Sequence, residues 1–472
     1  MPVVVQIQRR KKLGRHRPLN IQLVLPRYYN PEKGQQHKPF MIFPNIVLPT
    51  LAAITPAPHK VTILDEKVEP LHIPDDPDLV AITAYTRNVQ RGYQIADDCR
   101  ARGIPVIMGG IHVSFMVEEA LQHCDSVISG EGEALWPTIL DDVQNDDLKP
   151  VYIGGQSQDL NELPVPRWDL LKLERYFKPI PTLKMPIMSI QTSRGCPHKC
   201  DFCTVPVFAG GKMRYRDPGH LLREIDAYGA EFFSIADDNL IVNPDAAANL
   251  FKTLAQRKLS WFGFFDTQTL KRPELVELAA KAGCRRAFLG IESIHPNELA
   301  TVNKKFNRPE KYDELIRLFH RNGIAVDVGI LFGFEDETIE STLETIEELK
   351  RCNVETAIFS VMTPFPGTAL YNRTKDKLLH TDWDRYTGEE VVWAREGTDA
   401  EETRRLLQLA FERFYSVSSI YKRVLSPRSH AQRKLLATIS NLRFRSIIKH
   451  RFPEPLPSDF LRNARQARPA YA

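Results

Sequence analysis

The sequence predicts an α/β protein in three parts: a doubly wound parallel sheet, an open partial barrel of six βα units, and a helical, basic C-terminal region. Three observations carry this. A chain of 472 residues is too long for one ordinary core. Short apolar, β-branched runs alternate with helix-like stretches twice, with a Pro-, Gly- and Asp-rich interval between the two series. The runs are continuously apolar rather than alternating, as strands buried on both faces are.

The first series contains "NIQLVLP" (20–26), "KVTILDE" (60–66), "LVAITAY" (79–85), "PVIMGG" (105–110) and "SVISGEGE" (126–133). Helix-like stretches such as 88–103 lie between several of them, which predicts a Rossmann-like sheet with ligands at the carboxyl ends of its strands. The second series runs "IMSIQTS" (187–193), "EFFSIADDN" (231–239), "WFGFFDT" (261–267), "RRAFLGIES" (285–293), "AVDVGILFGF" (325–334) and "ETAIFSVMTP" (355–364). Helical candidates at 218–229, 245–258, 273–283, 308–323 and 337–352 separate them. Six units predict a partial (β/α)6 TIM-type barrel with its chemistry at one mouth. The expected boundaries are a basic segment 1–19, a sheet domain 20–144, a linker 145–186, a barrel 187–372 and a C-terminal region 373–472. No repeat of fixed period stands out.

Composition excludes several classes. No apolar run reaches about 18 residues, so no transmembrane helix is expected. The start lacks a signal-peptide pattern. Seven scattered or clustered cysteines do not make a disulfide framework, and a reducing cytoplasm suits them. The net charge of +4 is too small to imply nucleic acid by itself. Charge is uneven, however: 15 lysines and arginines stand against 3 acids from Thr403 onward, and Arg9, Arg10, Lys11, Lys12, Arg15 and Arg17 crowd the start. Apolar residues interleave with the positive charge in "NLRFRSIIKHRF" (441–452). That pattern has two readings, packing against the barrel and docking on an anionic membrane surface.

"TSRGCPHKCDFCT" (192–204) places Cys196, Cys200 and Cys203 directly after the first barrel strand. Thiolates suit zinc or iron–sulfur. Structural zinc takes four closed ligands, and no nearby cysteine completes the trio, with His198 awkwardly placed inside it. A four-iron cluster on three thiolates leaves one iron open. C-x3-C-x2-C after the first strand of a βα barrel, with Phe202 before the third cysteine, strongly resembles the radical S-adenosylmethionine (SAM) superfamily.

The resemblance implies a 4Fe–4S cluster on Cys196, Cys200 and Cys203. SAM would chelate the open iron and be cleaved reductively to a 5′-deoxyadenosyl radical. It also implies an external electron donor such as flavodoxin or ferredoxin. Further segments match. "ADDN" (236–239) falls where the family binds the SAM amino group, which implicates Asp237 and Asp238; a helix cap is their ordinary role. "GIES" (290–293) brings Glu292 near the SAM ribose. "GILFGFEDET" (329–338) resembles the segment beside adenine, with Gly329 and Gly333 allowing close approach. "TPFPGT" (363–368) resembles the sixth-strand exit.

The first domain resembles the cobalamin-binding domain that precedes the barrel in one large branch of the family, through "ITAYT" (82–86), "MGGIHVS" (108–114) and "SGEGEALW" (129–136). Thr83, Thr86, Gly109, Gly110, Gly130 and Glu131 are the implied cobalamin contacts, with Gly132 closing the last loop. A fold remnant without cofactor is the alternative. The loop 26–40 lacks the Asp-x-His-x-x-Gly motif whose histidine ligates cobalt. His37 is a poor substitute and His112 reads as structural, so cobalamin should bind with no histidine from that motif.

Branches with this architecture methylate unactivated carbons in antibiotics, lipids, tetrapyrroles and peptides. Others carry out oxidative cyclisation or rearrangement, as in the ring-forming step towards chlorophyll. The segment 382–393 resembles one found in several such proteins without selecting a reaction. A tRNA methylthiotransferase would need three further cluster cysteines, where only Cys99 and Cys124 are present. A non-catalytic cobalamin sensor would leave the cysteine trio dispensable. The expected partner is a small-molecule or lipid biosynthetic substrate, and no residue of the sequence identifies it or a catalytic side chain.

Overall fold

The computed structural model describes residues 17–28, 43–155, 159–176, 187–395, 399–424 and 431–467. The basic start of the chain, His37 and parts of the connector lie outside the described residues.

Six strands form the first sheet: β1 (Asn20–Leu25), β2 (Lys60–Asp65), β3 (Leu79–Thr83), β4 (Val106–Gly109), β5 (Ser126–Ser129) and β6 (Val151–Ile153). Their order is β2-β1-β3-β4-β5-β6, and all pairs are parallel. The chain reverses direction across the sheet at β1 and β3, which opens a crevice at their carboxyl ends. Side chains alternate between two cores as the strand period requires. Leu79 and Ala81 of β3 join one core, with Leu48, Ala52, Trp136 and Ile139 from the helices Val47–Ile54 and Trp136–Gln144. Val80 and Ile82 join the other, with Val89, Tyr93 and Ala96 of the helix Val89–Ala101. The sheet is thus doubly wound. β6 falls within the stretch read as a linker; it is three residues long, with only Tyr152 buried.

The second sheet is an open barrel of β7 (Met188–Ile190), β10 (Phe232–Ile235), β11 (Ser260–Phe265), β12 (Cys284–Glu292), β13 (Ala325–Phe332) and β14 (Thr356–Val361), parallel and in sequence order. Between β7 and β10, a small antiparallel pair, β8 (Ser193–Arg194) and β9 (Arg214–Tyr215), closes the cysteine loop. Helices follow the strands as expected, at Pro218–Tyr228, Pro244–Leu254, Glu274–Lys281, Tyr312–Arg321 and Ile339–Arg351. One apolar core runs continuously from the first sheet into this barrel.

After the barrel the chain returns to the first sheet. Trp383, Tyr386 and Val392 are buried against the Val89–Ala101 side. The indole of Trp383 donates to Glu119 at 2.9 Å, and Tyr93 donates to the same carboxylate at 2.8 Å. Burial alone would raise the Glu119 pKa; these donors and His112 hold it below its usual range. His112 is buried, with Nδ1 3.2 Å from Thr86 Oγ1 and its ring edge-on to Trp383. It is a packing residue, as read from the sequence.

Four helices end the described chain: Ala400–Phe414, Val417–Val424, Ala431–Arg451 and Ser458–Gln466. Arg423 fastens them to the barrel. Its guanidinium stacks 3.8 Å from the centre of the Phe414 ring and donates to the carbonyls of Val354, Glu355 and Phe414 and to Asn441 Oδ1. No apolar group can satisfy these buried acceptors, and each orphan costs about 1–3 kcal/mol. Arg423→Ala should therefore expose the C-terminal helices to trypsin several-fold faster than in the native chain, the rest of the protein remaining resistant. Equal cleavage rates would remove Arg423 from this role.

Candidate functional site

The cysteine loop starts from a forced turn. Gly195 has φ 99°, and a Cβ there would lie 2.1 Å from Lys212 O. The loop is then held from five sides. Asp237, buried at the end of β10, accepts from Thr192 N at 2.6 Å, from Ser193 Oγ at 2.7 Å and from the Thr192 hydroxyl. Asp238 accepts from Gly195 N at 3.1 Å. His198 stacks on Phe306 at 4.0 Å and pairs through Nε2 with Asp266 at 2.9 Å. Asn303 donates to Lys199 O, and Asp201 pairs with Arg373.

Cys196, Cys200 and Cys203 are free, half-buried and gathered on this loop. Burial pushes the Cys200 thiol up to about 11 and that of Cys203 up to about 12. Lys304 works the other way on Cys200. Among the described residues no three His, Cys, Asp or Glu side chains are grouped to hold a single metal ion. Cys99, Cys124, Cys284 and Cys352 are buried elsewhere.

Lys304 was not legible as a site residue. Its Nζ lies 2.6 Å from Glu292 Oε1 and 5.9 Å from the centre of the Phe202 ring. Burial disfavours its charge, but Glu292 and the cysteines outweigh burial and hold its pKa above the ordinary range. Glu292 ends β12 in left-handed backbone, φ 65°, where the register with β13 shifts. Such irregularities re-aim a side chain at a strand end. The space beside Gly290 is filled by Glu292 Oε1 and Lys304 Nζ, and a Cβ on Gly329 would touch Phe288 at 3.1 Å. Gly333 N donates to Glu337, whose carboxyl burial pushes up to about 8.

A cavity of about 420 Å³ lies between the two sheets. The first sheet contributes the ends of β3, β4 and β5 through Thr83, Gly109, Gly110, Gly130 and Glu131. The barrel contributes Ser189, Gln191, Arg194, Gly195 and Asp238. Ile46, Leu48, Trp136, Val205 and Phe208 make an apolar wall. The cysteines are adjacent to this lining through Gly195 and Val205 but are not part of it. Asp238 opens to the cavity, and its walled-in position pushes its carboxyl up to about 6.

The sequence did not distinguish Asp237 from Asp238. Asp237 faces away from this cavity, with its carboxylate committed to Thr192 and Ser193. Thr86 likewise lies away from it, against His112. Glu131 borders the cavity, but its carboxylate is taken by Arg214 and by Arg194 at 3.2 Å, and Arg194 also reaches Glu133 at 2.6 Å. Gly110, φ 104°, is one of the implied cobalamin contacts. A Cβ there would strike Ala84 O at 2.5 Å, so the strand packing itself requires glycine. Gly109 is the position that leaves room: a Cβ there meets only Ile128, at 3.7 Å.

A radical SAM superfamily model matches residues 190–367, and a B12 binding domain model matches residues 41–140. Bacteriochlorophyllide d C-12(1)-methyltransferase of Chlorobaculum tepidum is 33% identical over 335 residues, 69% of this chain and 72% of the relative. The C-8(2)-methyltransferase of the same organism is 29% identical over 85% of this chain and 91% of its own. The anaerobic magnesium-protoporphyrin IX monomethyl ester cyclase of Rubrivivax gelatinosus is 27% identical over 72% of this chain and 66% of its own. The fold is shared with the cobalamin-dependent SAM radical enzyme OxsB (TM-score 0.64, 16% identity, 94% of this chain and 75% of that one). It is also shared with the methyltransferase TsrM from Kitasatospora setae (TM-score 0.59, 17% identity, 91% and 89%).

The chain belongs to the radical SAM family, in the branch that carries a B12-binding domain before the barrel. It is an enzyme of that family, and its cofactors are a 4Fe–4S cluster, SAM and cobalamin. The residues present fit these groups. Three unbridged thiols share one clamped loop at the barrel mouth, and an iron cluster displaces their protons as any coordinating metal does. The strand ends of the first sheet open onto a cavity with an apolar wall and a bare Gly109 backbone, which suits a broad ring.

Asp237 is the positioning residue whose removal is most informative. Asp237→Ala leaves three donors around the loop without their acceptor, at about 1–3 kcal/mol for each orphan. Hydrogen exchange at the Thr192 amide should accelerate roughly tenfold or more, with residues 192–215 loosened and the first sheet unchanged. Native protection in this variant would show that the loop is held by other means.

Proposed function

We propose that this enzyme is a cobalamin-dependent radical SAM methyltransferase acting on an unactivated carbon of a biosynthetic substrate. The observation that carries the reading is the shared cavity: the ends of β3 to β5 and the mouth of the barrel border one space. Reacting atoms must come within about 3–3.5 Å of each other, so two cofactors serving one carbon have to border one pocket.

In this reading Cys196, Cys200 and Cys203 hold the cluster, and Thr83, Gly109 and Gly130 border the cobalamin, with no histidine from the usual loop motif. Once bound, the cofactors supply hydrogen abstraction and a transferable methyl group. The chain's own residues bind, orient and exclude water. Asp238 offers a carboxylate to the SAM amino group. Glu292 and Lys304 present opposite charges at the β12 end, with Lys304 placed to meet a carboxylate. Arg194 and Arg214, held on Glu131, keep the barrel mouth against the first sheet.

The names of the relatives make tetrapyrroles the first compounds to test. An external electron donor and a cytoplasmic setting complete the proposal, and no helix among the described residues is long and apolar enough to cross a membrane. We take residues 20–144, 187–372 and 373–472 as its working units.

Oxidative cyclisation is the second reading, favoured by the similarity to the Rubrivivax cyclase. One experiment separates the two. Anaerobically reconstituted protein is incubated with SAM, a reductant and tetrapyrrole intermediates or cell extract, and products are weighed by mass spectrometry. Methylation adds one methylene. Cyclisation removes hydrogens without that gain, and its appearance would replace the first reading.

Two further outcomes are expected. Alanine at Cys196, Cys200 or Cys203 should abolish a reconstituted centre of about four irons and SAM consumption with it, whereas alanine at Cys99, Cys124, Cys284 or Cys352 should not. Stoichiometric zinc without iron absorbance would contradict this. Lys304→Met should weaken SAM binding on the order of ten- to a hundredfold at unchanged iron content. Unchanged affinity would leave Lys304 with a purely structural role.

A further inference from the structure

The helices Val417–Val424 and Ala431–Arg451 each have a packed side and an outer side. On the first, Ser419, Ile420, Arg423 and Val424 are buried, while Val417, Tyr421 and Lys422 are exposed. On the second, Ala437, Asn441 and Ile448 are buried. Ile439, Leu442, Arg443, Ser446 and Lys449 are exposed at helical spacing. The two inner sides meet at one point. Arg423 and Asn441 both donate to Glu355 O, at 2.8 and 2.9 Å. The two outer sides therefore look away from the same edge of the barrel.

Large apolar side chains on these outer sides are solvent-accessible to an unusual degree. Val417 is 64% exposed, Tyr421 65%, Ile439 44% and Leu442 53%. The surrounding sequence has one sign of charge. Between Glu412 and Glu454 there is no Asp or Glu, and there are ten Lys and Arg.

We propose that this outer face docks the enzyme on an anionic membrane surface. A bilayer interface offers what this face lacks: an apolar layer for Val417, Tyr421, Ile439 and Leu442, and negative headgroups for Lys422 and Lys449. A second copy of the chain is a poor occupant, since two such basic faces repel. Nucleic acid would satisfy the cations and leave the aliphatic side chains without a partner. The inference does not depend on which reaction the active site performs.

Vesicle sedimentation of the full-length protein tests it. Vesicles of phosphatidylcholine alone are compared with phosphatidylcholine containing phosphatidylglycerol, at low and raised salt. Binding should need phosphatidylglycerol and weaken as salt rises. Tyr421→Ser with Leu442→Ser should reduce it roughly tenfold, and Lys422→Glu with Lys449→Glu by at least as much, at unchanged iron content and thermal midpoint. All four positions are exposed, so the fold survives the changes. The proposal is overturned by equal sedimentation with both vesicle types, by none with either, or by native binding of both variants. It is also overturned if the native chain instead shifts duplex DNA or forms a dimer that these substitutions abolish.

Discussion

The Glu131 carboxylate, shared between Arg194 and Arg214, is the contact on which the rest of the architecture depends. Glu131 lies in the loop after β5, at the carboxyl edge of the first sheet. Arg194 and Arg214 belong to β8 and β9, the small clasp that closes the cysteine loop. One buried carboxylate thereby fixes the distance between the two halves beside the cavity they share. Buried ion pairs gain little net stability against apolar packing, but breaking one leaves a charge stranded. Its value here is register: the clasp settles in one position, and Arg194 adds a second hold through Glu133.

Around that clamp the site is organised as two nested frames. An inner frame of carboxylates, Asp237, Asp238 and Asp266, grips the cysteine loop through backbone and side-chain donors. An outer frame of apolar side chains encloses the cavity and limits water. The division explains why adjacent acids do different work. Successive residues at a strand end point to opposite sides, so Asp237 is turned towards the loop and Asp238 towards the cavity.

Much of this was legible because it rests on local pattern. Eleven strands of the two sheets were visible as apolar runs, and the cysteine spacing marked the mouth of the barrel. β6 was missed because three residues beside "GG" carry too little pattern. The individual roles were less legible. Lys304 sits in "VNKKFN", where nothing local separates it from Lys305; only the tertiary approach of Glu292 and Phe202 marks it. Arg194 is a lone cation until Glu131 arrives from 63 residues away. Gly110 is implied as a ligand contact by the resemblance, whereas the backbone of Ala84 is what requires glycine there. Sequence reports periodicity and spacing well, and reports poorly on contacts between distant segments.

The return of the chain after the barrel bears on how the protein is made. Trp383 reaches Glu119 across 264 residues, and Trp383, Tyr386 and Val392 complete the apolar layer over the Val89–Ala101 helix. On the ribosome the first sheet emerges well before the segment that covers it. Its outer helical layer therefore stays open to water, and to other nascent chains, until the whole barrel has been translated. The last third of the polypeptide thus acts as a seal on the first, and a chain stopped short of it would present a sticky surface to the cell's folding and quality-control machinery.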